Sequence, residues 1–76
     1  MKELLYYIAR QIVDNPDAVV VNEVTRDDTL VLELSVDPAD MGKVIGRQGK
    51  IAKSIRSIIK AAAIRENIRV NVDIVG

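Results

Sequence analysis

Two glycines three residues apart, Gly46 and Gly49, enclose an arginine and a glutamine and are followed at once by a lysine. The full run is Val44-Ile45-Gly46-Arg47-Gln48-Gly49-Lys50-Ile51. Glycine has no Cβ, so a turn built on a pair of them lets backbone come close to a ligand. Amide N–H groups at the positive end of a helix meet phosphate oxygens, and Arg47 or Lys50 adds a charge-assisted contact. The chemistry on offer is a backbone grip on phosphate. The plainer reading, a tight interhelical turn, needs one glycine and not a pair around a charged dipeptide.

Two other phosphate motifs fail on spacing. A P-loop needs four residues between its first glycine and Gly-Lys, then Ser or Thr. Gly42 lies too far before Gly49-Lys50, Gly46 lies too near, and Ile51 follows the lysine. A dinucleotide fingerprint needs a glycine where Val44 stands, and a strand where a short helix is expected. Catalysis and metal binding have little to work with. The 76 residues contain no histidine and no cysteine, which removes the commonest general base and the thiolate ligands. The carboxylates are scattered over turns and solvent faces. No enzyme activity, metal, cofactor or small-molecule substrate is expected.

The net charge of zero conceals a segregated distribution. From Lys43 to Arg65 there are seven basic residues (Lys43, Arg47, Lys50, Lys53, Arg56, Lys60, Arg65) and no acid, while the rest of the chain holds eleven acids against four bases. A local field, not the net charge, attracts a polyanion. No apolar run approaches the roughly 18 residues that span a membrane, and the opening Met1–Val13 does not read as a signal peptide. A soluble, cytoplasmic protein without membrane contact is expected, as one domain over residues 1–76.

The elements that must position the loop follow from periodicity. Leu4, Leu5, Ile8 and Ile12 recur at helical spacing and predict a helix over about residues 2–14, ended by the restriction that Pro16 places on Asn15. Residues 18–25 are rich in β-branched side chains, and in residues 29–36 Leu30, Leu32, Leu34 and Val36 face one way while Val31, Glu33 and Ser35 face the other, so both read as strands. The short polar link between them suits a hairpin. Asp37 caps a short helix with Pro38 at its first position. A long helix is predicted over residues 49–65, with Ile51, Ile55, Ile58, Ile59 and Ala62 in one core-facing arc of roughly 100°. Ile68, Val70, Val72 and Ile74 then mark a last strand. The order is α-β-β-α-α-β. A crossover of two helices favours a parallel neighbour, so the fold class is α+β, a three-stranded mixed sheet covered by three helices. Tyr6 and Tyr7, the only aromatics, flank the core arc of the first helix and read as core-edge residues.

In that topological slot, after Val44-Ile45 and before an isoleucine-rich helix, the Gly-x-x-Gly turn resembles the GXXG loop of a K-homology (KH) domain, which clamps a short single-stranded stretch of nucleic acid. The helix-first order resembles the type II, bacterial form. The segment from Asp40 to Ala63 is similar at almost every position to the small stand-alone bacterial KH proteins of the KhpA (YlqC-like) family. The resemblance implies single-stranded RNA gripped through Lys43, Ile45, Gly46, Arg47, Gln48, Gly49, Lys50 and Lys53. One of Val44 and Ile45 turns into the core and the other floors the groove; the residues leave this open, and the resemblance favours Ile45 for the floor.

The resemblance also implies an RNA chaperone that forms homodimers or pairs with a larger Jag-like KhpB protein, in control linked to cell-wall homeostasis and cell length. Two other readings are a protein-interaction and dimerisation module with marginal RNA affinity, and a ribosomal-RNA maturation factor. The intact, acid-free loop favours nucleic acid over the first of these. A dimer surface is expected near the end of the long helix, where Ala61 and Ile64 fall on an otherwise polar side near Lys53 and Ser57. The alternative there is a helix end tucked beneath the loop that follows.

Overall fold

The computed structural model describes residues 1–75. The first helix, α1 (Lys2–Ile12), buries Leu5 and Ala9 and packs Leu4, Ile8 and Ile12 against the same core. It ends two residues earlier than the periodicity suggests. Val13 turns extended and enters the core itself, and a single 3-10 turn follows over Pro16–Ala18.

Strand β1 (Val20–Arg26) pairs antiparallel with β2 (Thr29–Ser35). Asp27 and Asp28 between them have φ of 50° and 64°, as both central residues of a type I′ hairpin turn require. The third strand, β3 (Val70–Val75), runs parallel to β2 with Leu30 opposite Val70 and Leu34 opposite Ile74. The sheet order is β1-β2-β3, so β2 is central and β3 has one free edge. The face that carries Leu32, Leu34 and Val70 meets the helices. This is the mixed three-stranded sheet with three helices expected of a KH domain.

Between β2 and β3 lie α2 (Met41–Ile45) and α3 (Lys50–Arg65), joined through a tight turn over Arg47–Gly49. Asp37 caps the preceding turn by accepting from the Ala39 N–H at 2.9 Å, and the Asn15 side-chain amide donates to it at 3.0 Å. These donors hold the Asp37 carboxyl below its usual range, the Asn15 bond first and the Ala39 bond second. Asp40 is the one buried charged residue among those described; it accepts from the Asn15 backbone N–H at 3.0 Å. A buried carboxylate without partners would be costly. Here it ties the exit of α1 to the start of α2.

The core face of α3 differs from the expected arc. Ala52, Ile55, Ile59 and Ala63 are buried, whereas Ile51 and Ile58 are exposed and Ala62 is half-buried. The buried arc is rotated by about 60° toward Lys53 and Arg56. Alanines at 52 and 63 bring α3 close to its neighbours, and Ile51 is drawn away to cover the turn before it. The tyrosines also depart from the core-edge reading: Tyr7 is well exposed, and Tyr6 lies beneath Arg10, whose guanidinium stands 5.2 Å from its ring centroid.

Candidate nucleic-acid interface

The site begins where α2 stops. Val44 is fully buried and Ile45 is 40% exposed, which resolves the pair: Val44 anchors α2 in the core, and Ile45 presents an apolar surface beside the turn. The Gly46 N–H closes α2 by donating to the Gly42 carbonyl at 2.9 Å. Gly46 itself lies at φ 75°, ψ 175°, a region open essentially to glycine alone. A Cβ there would fall 2.3 Å from Ile51 Cγ1 and 2.9 Å from the Ile51 nitrogen. Both conformation and space therefore demand glycine.

Gly49 is different. It is left-handed at φ 75°, ψ 13°, but a Cβ on it would meet nothing within 4 Å. Its bare backbone faces open space at the start of α3. Between the glycines, Gln48 is also left-handed at φ 57°. The Gly49 N–H donates to the Gly46 carbonyl at 3.2 Å, while the N–H groups of Arg47 and Gln48 have no backbone partner among the described residues. Consecutive amides in such a turn form an anion-binding concavity, here at the positive end of a 16-residue helix. The Arg47, Gln48 and Lys50 side chains are exposed around it.

From this turn α3 runs alongside the free edge of β3, and an open cleft lies between them. Lys53, Arg56 and Lys60 line its helical wall, and Val70 to Asp73 its strand wall. Leu30 N–H donates to the Arg69 carbonyl. In a parallel ladder this parity turns the amides and carbonyls of Val70, Val72 and Ile74 outward. Arg56 Nε donates to one of these, the Val72 carbonyl, at 3.3 Å.

Of the expected residues, Ile45, Arg47, Gln48, Lys50 and Lys53 are exposed at or just after the loop, and Lys53 also lines the cleft. Lys43 stands apart: its Nζ is hydrogen-bonded to Asp14 and lies 3.8 Å from Asp40. The Asp14 bond is the main cause of a Lys43 pKa raised above the usual lysine value. The Lys43 ammonium therefore stays charged at neutral pH, and its contribution to the pair is lost only as pH rises above the usual lysine range. Arg56, expected only as part of the basic run, and Arg26 arriving from β1 also line the cleft without having been expected as contacts. The rotation of the core face brings Arg56 to the strand edge, and only the sheet register brings Arg26.

Fold, loop and cleft together define a type II KH domain. The family model for the KhpA/KhpB KH domain matches residues 2–74, and the chain belongs to that family. It is 60% identical over 75 residues to the RNA-binding protein KhpA of Clostridium acetobutylicum, covering 99% of this chain and all of the relative. It is 57% identical to that of Clostridium perfringens over the same shares. With the corresponding protein of Chlamydia pneumoniae it shares 43% identity, covering 97% of this chain and 95% of the relative.

The two loop glycines predict unequal costs. Gly46→Ala should destabilise the fold by at least about 2 kcal/mol, from the forbidden conformation and the overlap with Ile51. Gly49→Ala should cost only about 1 kcal/mol for its left-handed backbone. Urea denaturation of the two variants measures the difference, and equal losses would contradict it.

Proposed function

We propose that this protein binds single-stranded RNA, with the backbone at the Gly46–Gly49 loop on phosphate and bases lying over Ile45 toward the α3–β3 cleft. The observation that carries the reading is the loop itself: two amides without a backbone partner among the described residues, exposed cations and open space over Gly49, at a helix N-terminus. The curated relatives are named as RNA-binding proteins, which supports the same ligand. Binding contacts in this proposal are Ile45, Gly46, Arg47, Gln48, Gly49, Lys50 and Lys53. RNA chaperoning in the cytoplasm, a Jag-like KhpB partner and a link to cell-wall homeostasis and cell length come with the family resemblance and complete the proposal. A short footprint of about four nucleotides gives weak, rapidly exchanged contacts, as chaperoning requires.

The loop assignment is tested by Arg47→Asp with Gln48→Asp. Both side chains are exposed, and aspartate tolerates the left-handed backbone at position 48 better than most residues. The double variant should keep the fold, by circular dichroism, and lose RNA binding. Wild-type affinity should fall with salt at a log-log slope of roughly −1.4 to −2.1, from about two to three phosphates neutralised on a single strand. A folded variant with unchanged affinity would remove the loop from the site.

A dimer is the second part of the proposal, and it rests on Ile64. At 72% exposure it is the most exposed large apolar side chain among the described residues, which disfavours a helix end tucked under the next loop. Ala61 beside it is small and exposed, so another backbone can approach closely. An isologous contact would set two α3 helices near a two-fold axis, and a KH partner of similar shape could reuse it. Sedimentation should give a dimer at micromolar concentration for the wild type and a monomer for Ile64→Asp. Equal masses for the two would place the interface elsewhere.

A further inference from the structure

We propose that Asp14 is an internal competitor for the phosphate backbone: it holds Lys43 away from the ligand and sets the RNA affinity below what the cations of the loop region would otherwise give. The inference rests on the RNA-binding reading above and adds to it a residue outside the loop that tunes the same site. Lys43 is on α2, three residues and so about one helical turn before Gly46, where the loop begins. It is the first of the uninterrupted run of cations. Its ammonium points the other way, onto the Asp14 carboxylate at the exit of α1.

Three features mark Asp14 as a competitor rather than a structural tie. Its side chain is 80% exposed, so it buries nothing and carries no packing. The joint between α1 and α2 is already made by Asp40, which is buried and bonded to the Asn15 N–H. Asp40 Oδ1 lies 3.8 Å from Lys43 Nζ, but its carboxylate is fixed in the core and cannot follow the lysine outward. An exposed ion pair is weak and yields to a phosphate only at a cost, which subtracts from binding. A flexible lysine stem lets the same ammonium reach either anion.

The test is the salt dependence of binding to a fluorescein-labelled single-stranded RNA dodecamer of mixed sequence, for wild type, Asp14→Asn, and Asp14→Asn with Lys43→Met. Asp14→Asn should bind about two- to fivefold more tightly, the range set by an exposed pair. Its log-log salt slope should steepen by about 0.7, one further phosphate on a single strand. The double variant should return to the wild-type slope. If Asp14→Asn tightens binding with no change of slope, or tightens it equally without Lys43, the effect is through-space repulsion and the competition is overturned. A double variant with a slope flatter than wild type would show Lys43 already on phosphate, and would overturn it too. So would a fall of the Asp14→Asn melting midpoint by more than a few degrees, since the pair would then be structural. Failure of the RNA-binding reading looks different: no variant, wild type included, would bind the oligonucleotide.

Discussion

The close approach of Gly46 to Ile51 is the constraint on which the rest of the molecule depends. The α2 helix must stop, reverse its backbone and release α3 within four residues, and the space between the two helices at that point is smaller than a methyl group. Ile51 covers the turn from the α3 side, and Val44 anchors it from the α2 side in the core. The loop is thereby held by packing behind it, which leaves its front free. A site that binds phosphate through backbone has to be preorganised, because amides that must first be ordered lose affinity to entropy. Here the ordering has been done in folding.

Much of this was legible in sequence. The strands announce themselves by alternation and the hairpin by its short polar link, though β1 and β3 each begin two residues later than expected, at Val20 and Val70. The turn could be read from its glycines because the need for a missing Cβ, met at Gly46, is local. What periodicity misjudged was the orientation of α3. A wheel finds the most apolar arc, and Ile51 and Ile58 drew it to one side; the true core face uses Ala52 and Ala63, which contribute closeness more than hydrophobic area. Ile51 was counted as core although its partner is a loop glycine. That contact is tertiary, and composition cannot report it.

The charge segregation was visible too, but its pairing was not. Counted along the chain, Lys43 belongs with the cations around the loop; in space it belongs with Asp14, 29 residues away in sequence. The same connection sets Asn15 on both Asp37 and Asp40, so a single turn after α1 binds two acids through Asn15 and one base through Asp14. Long-range polar networks of this kind follow from topology, since the polarity of the residues fixes only that each must find a partner.

Arg56 has a consequence unrelated to any ligand. A three-stranded sheet has two open edges, and the outer face of this one carries Val20 and Val75 exposed. Such an edge is a template for the addition of further strands, the first step toward fibrous assembly. By donating to the Val72 carbonyl, the arginine occupies one of the acceptors an incoming strand would need and leaves a fixed positive charge in its path. The hairpin end of the sheet carries Asp27 and Asp28, which likewise repel a second copy. In a chain this small and this rich in valine and isoleucine, that one contact from α3 obstructs strand addition at one border of the sheet.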